Sequence, residues 1–146
     1  NLSPSRMPQM SNIEFNPKLV GVSVVTAYLP RHSTPDDGRY TFAYTITISN
    51  AGDMPVQLLS RHWLITDADD DVQEVRGEGV VGEQPIIQPG GSFRYTSGAT
   101  LATPVGFMKG NYFMVVREPM EVPPEELPNF EVPIPAFTLH TPTALN

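Results

Sequence analysis

Between Lys18 and Leu29, Val20, Val22, Val24, Thr26 and Tyr28 alternate with Gly21, Ser23, Val25 and Ala27. A period of two in β-branched and aromatic types predicts a strand. From Tyr40 the alternation is cleaner, with Phe42, Tyr44, Ile46 and Ile48 against Thr41, Ala43, Thr45, Thr47 and Ser49. LPRHSTPDDGR, between these two segments, carries turn chemistry. Asn50-Ala51-Gly52-Asp53, followed by Pro55, supplies Asx-turn and positive-φ residues and predicts a reversal before a third strand, VQLLSRHWLITD. There Trp63 shares its parity with Leu59, Arg61 and Ile65, while Leu58, Ser60, His62 and Leu64 fall on the other. With apolar residues on both faces, this strand is expected at the centre of its sheet.

DADDD reads as an acidic turn, and VQEVR restarts a strand that can run on through GEGVVGEQ with glycine bulges. Beyond the QPGG turn come a segment alternating around Phe93 and Tyr95, then NYFMVVRE, then NFEVPIPAFTLH. Pro133 and Pro135 remove two donors from one side of the last strand, which predicts an edge position or a bulge. Residues 1–12 lack periodicity and read as a flexible arm, and residues 13–146 as one domain. About seven strands without helices predict an all-β antiparallel sandwich. Its core is expected from Phe42, Tyr44, Ile46, Trp63, Ile65, Phe93, Tyr95, Phe113, Val115 and Phe137.

Composition narrows the picture. Sixteen prolines and eleven glycines in 146 residues exclude long amphipathic helices. Nine basic against sixteen acidic residues give a net charge of −7, which opposes binding to nucleic acid and to anionic membranes. The absence of cysteine excludes disulfides, thiolate metal sites and a Cys nucleophile. No segment approaches the roughly 18 apolar residues of a membrane span, and a soluble cytoplasmic protein is expected.

Four constellations invite a chemical reading. Gly77, Gly79 and Gly82 form a GxGxxG string beside Arg76, but Pro85 and Pro89 leave no room for the helix that a dinucleotide site requires. What remains is a weak candidate anion site at Arg76, Gly77, Gly79 and Gly82, set against purely structural glycines, with Glu78 and Glu83 opposing an anion. Asp67, Asp69, Asp71 and Glu78 occupy positions of a calcium loop, yet Val72 stands where that loop needs glycine, so an acidic hairpin tip is expected and no metal site. His32, His62 and His140 lack ligand spacing, and Ser97 lacks a nucleophile elbow. Met108, Met114, Met120, Phe107, Phe113 and Tyr112 cluster late in the chain and can fill the core or line a partner groove, with core expected for the strand residues, and the acidic, proline-rich EPMEVPPEELPNFEVPIP reads as a solvated or partner-facing loop.

The motifs VQEVRGEGVVGEQP, YTSG, Met108-x-Gly110-x-Tyr112-x-Met114 and IPAFxL closely resemble the ApaG family, over roughly Ile13 to Asn146. The resemblance implies a fibronectin-III-like or immunoglobulin-like sandwich. It also implies a domain found in small bacterial proteins and in eukaryotic F-box and polymerase-delta-interacting proteins. Bacterial members are associated with diadenosine-tetraphosphate hydrolase and with cobalt and magnesium phenotypes, and the eukaryotic ones look like interaction modules. The family offers no catalytic residues to carry over. The leading expectation is therefore a non-enzymatic module for protein–protein contacts, without a cofactor. The alternative is a weak sensor of phosphorylated small molecules, nucleotides or divalent ions.

Overall fold

Eight strands and no α-helix occupy the described residues, 14–118 and 121–143 of a computed structural model. The arm expected at residues 1–12, and the expected start at Ile13, lie outside them. The strands are β1 (Val20–Tyr28), β2 (Tyr40–Asn50), β3 (Val56–Asp67), β4 (Val72–Glu78), β5 (Ile86–Ile87), β6 (Ser92–Leu101), β7 (Val105–Val116) and β8 (Asn129–His140). One sheet has the order β1-β2-β6; the other has β4-β3-β7-β8, with β5 paired to the start of β3. All pairings are antiparallel, and the two sheets form a sandwich. The strand beyond the expected seven is β5, two residues whose pairing with Val56 and Gln57 is too short to leave a periodic signal.

The Trp63 strand is central, between β4 and β7, as its two-sided apolar pattern requires. Its register slips between Leu58 and Ser60. That bulge takes Leu59 out of the parity it shares in sequence with Arg61, Trp63 and Ile65. The proline-bearing β8 is an edge strand, and its register against β7 shifts beside Pro135. The two prolines thus meet both conditions under which a strand tolerates them.

The core gathers on Trp63, which is 2% exposed. Tyr44, Phe137 and Tyr112 pack edge-on or tilted around it at centroid distances of 5.5, 5.9 and 6.4 Å. Such offset contacts suit ring quadrupoles. Phe42, Ile46, Ile65 and Tyr95 are buried as expected, and Phe93 and Phe137 pack against the core half-buried. Phe107, Phe113 and Val115 depart from expectation, Phe107 being exposed, and Met120 lies outside the described residues. β7 turns Met108, Tyr112, Met114 and Val116 into the sandwich and sends Phe113 and Val115 to its outer face. An unbroken apolar run such as YFMVV carries no parity signal. Val115 is still buried, because Val122 and Leu127 of the acidic proline-rich loop fold back onto it and Leu59. Those two side chains of the loop are thus packed, while Glu121, Pro123, Glu125 and Glu126 stay exposed.

Asn50 joins the two sheets at one end. Its Oδ1 accepts from the Gly52 amide at 2.9 Å in the expected Asx turn, while its Nδ2 donates to the Met54 and Ile87 carbonyls at 2.8 and 3.0 Å. The bond to Ile87 anchors β5 to the end of β2.

Candidate functional site

The glycine string sits where β4 leaves the sheet. β4 ends at Glu78, and the chain does not continue as a bulged strand. Instead Val80 and Glu83 exchange backbone hydrogen bonds of 2.8 and 2.9 Å around Val81 and Gly82, whose φ values are +44° and +81°. Two successive positive φ values form the tight hairpin turn that matches strand twist. No helix opens between Gly79 and Gln84. Gly79, at φ +64°, lies against the Glu83 carbonyl, where an added Cβ would collide with backbone. The glycines therefore act on the backbone path, with no phosphate-cradling helix end among them.

Strand pairing decides which arginine reaches this turn. In β4, Gly77 pairs with Arg61 and Val75 with Trp63 on the inner face, while Arg76 pairs with His62 on the outer face. Arg76 therefore points away from the turn, and its Nη2 meets Glu74 Oε2 at 2.9 Å. Arg61, seventeen residues from Glu78 in sequence, donates from Nη1 to the Glu78 and Gly79 carbonyls at 3.1 and 2.8 Å. The sequence neighbours Arg76 and Gly77 thus face opposite sides, and the cation at the glycine turn is Arg61. Parity around Trp63 held the available signal, since Arg61 lies two residues from that inward ring.

Arg61, Trp63, Tyr44, Tyr95, Ser97 and the turn residues Val80 to Gly82 line a cavity of about 250 Å³ between the sheets. The indole Nε1–H of Trp63 is buried and has no acceptor among the described residues. Tyr95 and Tyr112 bond hydroxyl to hydroxyl across the sandwich. Burial pushes both phenols well above the ordinary tyrosine range, so both stay neutral at physiological pH.

On the outer face His62 Nε2 donates to Glu74 Oε2 at 2.7 Å. That bond, and then the Arg76 charge, hold the Glu74 carboxyl below its ordinary value. His32 and His140 lie on other elements, exposed. The Asp67–Asp71 segment is a hairpin tip: Asp67 Oδ1 accepts from the Asp69 and Asp71 amides at 2.8 and 3.1 Å, and Val72 begins β4. Among the described residues no three His, Asp or Glu side chains converge as metal ligands, and no helix is long and apolar enough to cross a membrane.

Comparison with known proteins agrees with the motifs. A family model described as the ApaG domain matches residues 30–116. The chain is 55% identical over 127 residues to Protein ApaG of Thiobacillus denitrificans, covering 87% of this chain and 94% of that one. It is 50% identical over 133 residues to Protein ApaG of Dechloromonas aromatica, covering 91% and 98%. Among solved structures, the crystal structure of a Bordetella pertussis protein named ApaA superposes with a TM-score of 0.77 at 48% identity, covering 86% of this chain and 95% of that one. On these matches and on a fold reached independently of them, the chain belongs to the ApaG family.

Proposed function

We propose that this domain is a non-enzymatic interaction module whose β1 edge, unpaired among the described residues, accepts an extended segment of a partner protein as an added strand. The supporting observation is the contrast between edges. β8 is guarded by two prolines and a bulge, β4 by its short length and by Glu74, Arg76 and Glu78, and β6, the other edge of the three-stranded sheet, by Arg94 and by Gln73 Nε2, which donates to the Thr100 carbonyl at 3.5 Å. β1 is nine residues of VGVSVVTAY without proline or charge, and among the described residues it pairs with β2 alone. Bonds at its two ends set the phase. The Ala51 amide donates to the Leu19 carbonyl and the Leu29 amide to the Thr41 carbonyl. The odd positions between them, Gly21, Ser23, Val25 and Ala27, are then the ones bonded to β2, and Val22, Val24 and Thr26 direct their amides and carbonyls outward. An outward backbone ladder is the template for strand addition.

In this reading the sandwich is fibronectin-III-like, a label supported by the β1-β2-β6 over β4-β3-β7-β8 order. The net charge of −7 favours a neutral or basic segment, and the absence of cysteine suits the cytoplasm. The rival sensor of phosphorylated ligands draws less support, because the glycine string forms a tight turn beside Glu78 and Glu83 and Arg76 faces elsewhere.

Thr26→Pro tests the proposal, since it removes an outward donor while sparing the β2 ladder. Proteins captured by the wild type and lost with a folded Thr26→Pro variant are expected. Capture unchanged by Thr26→Pro would overturn the β1 assignment, and concentration-dependent self-association abolished by it would identify a second copy as the occupant.

A further inference from the structure

We propose that a groove on the outer face of the β4-β3-β7-β8 sheet, built around Phe113 and Leu59, is a docking site for a cationic peptide segment that seats one large apolar side chain. The groove encloses about 430 Å³, within the roughly 300–1,000 Å³ of concave binding sites, and is lined by Leu59, Phe113, Met114, Asn129, Phe130 and Glu131. β1 belongs to the other sheet, so the groove stands independently of the edge assignment.

Strand register opens the groove. The slip between Leu58 and Ser60 leaves Leu59 without a partner on β7, and its side chain packs, partly buried, with Val115, Val122 and Leu127. Phe113 pairs with Ser60 on one side and Glu131 on the other, so neither neighbouring strand sets an apolar side chain directly opposite its ring. Val122 and Leu127 cover Val115, the next outward position of β7, and stop there: Phe113 belongs neither to that cluster nor to the core. A half-buried aromatic left uncovered in this way is the kind of side chain on which interfaces anchor.

Charge selects the occupant. Across the sheet the outward row reads Glu78, Ser60, Phe113, Glu131, which sets a carboxylate to each side of the aromatic. Glu121, Glu125 and Glu126, on the loop whose Val122 and Leu127 pack against Leu59, are exposed. Among the described residues none of these carboxylates is in an ion pair, and no Lys or Arg lines the groove. On a chain of net charge −7 this rim repels an acidic segment and a second copy of the chain alike. An apolar floor inside an unneutralised acidic rim matches Lys or Arg flanking one large apolar residue.

The probe is the peptide RKFKR, acetylated and amidated, titrated into the full chain while backbone amides are followed by nitrogen–proton correlation spectra. Saturable shifts at Leu59, Phe113 and Glu131 are expected. Phe113→Ala should raise the half-saturation concentration about tenfold or more, and Glu131→Gln about two- to fivefold. RKAKR, which lacks the anchor, should bind about tenfold more weakly, and EEFEE should not bind. If Phe113→Ala does not fold, Glu131→Gln and the three peptides carry the comparison. Equal binding of RKFKR and RKAKR, or of RKFKR and EEFEE, overturns the site, as does affinity unchanged in folded Phe113→Ala. Shifts confined to Val22, Val24 and Thr26 and lost with Thr26→Pro place the peptide on β1 and overturn the groove, whereas binding retained in Thr26→Pro supports it. Concentration-dependent shifts at Phe113 without peptide would make a second copy the occupant and overturn the peptide assignment.

Discussion

Arg61 and Gly77 face each other across β3 and β4 with no room between them for a β-carbon: one built on Gly77 would lie 2.8 Å from Arg61 Nη1. The arginine end could swing aside, but only by giving up its bonds to the Glu78 and Gly79 carbonyls. Gly79 allows no such escape, since backbone blocks its Cβ and its φ is +64°. Gly79→Ala is therefore expected to destabilise by about 2–4 kcal/mol and Gly77→Ala by about 1–2 kcal/mol. Chemical denaturation of both variants checks the order, and the reverse order would contradict it.

Val81 supplies the opposite case. A β-branched residue at φ +44° occupies the first position of a turn that asparagine favours, and its side chain is exposed. Val81→Asn makes the turn Asn-Gly and should stabilise the protein by about 1 kcal/mol. A higher denaturation midpoint with an unchanged slope would show it.

Asn50 shows how one polar side chain can hold a sandwich end. Asn50→Ala leaves the Ile87 and Met54 carbonyls and the Gly52 amide without their partner. A loss of about 2–3 kcal/mol is expected, with β5 amides exchanging faster than those of β2. Stability within a few tenths of a kcal/mol of wild type would mean that the Asn50 bonds do not hold β5.

The Tyr95–Tyr112 pair sets the alkaline limit. Burial raises both phenols, so above pH 10, the ordinary phenol value, the unfolded chain has lost protons that the folded chain keeps. Stability from this source is complete below pH 10 and falls above it. The slope approaches about 2.7 kcal/mol per pH unit if both groups hold their protons. Phenolate absorbance that completes only once the chain unfolds is the expected sign of the buried pair, and complete phenolate absorbance in the folded protein would contradict the burial.

What could be read in advance followed from local chemistry. The β2 alternation, the Asn50 turn, the edge position of β8 and the central place of Trp63 all rest on residues within a few positions of one another. The failures share one cause. Arg61 approaches Gly77 across a pairing sixteen residues apart, and spacing along the chain favoured its neighbour Arg76 instead. The Leu59 bulge and the YFMVV run likewise hide their facing until β7 is in register with β3 and β8.

Residue-resolved amide hydrogen exchange reads the open backbone of β1 position by position. In the free protein Val22, Val24 and Thr26 should exchange quickly while Ser23, Val25 and Ala27 are protected, and a partner lost by Thr26→Pro should protect the first set. Protection of Val22, Val24 and Thr26 already in the free protein, or no change when that partner binds, would contradict strand addition at β1.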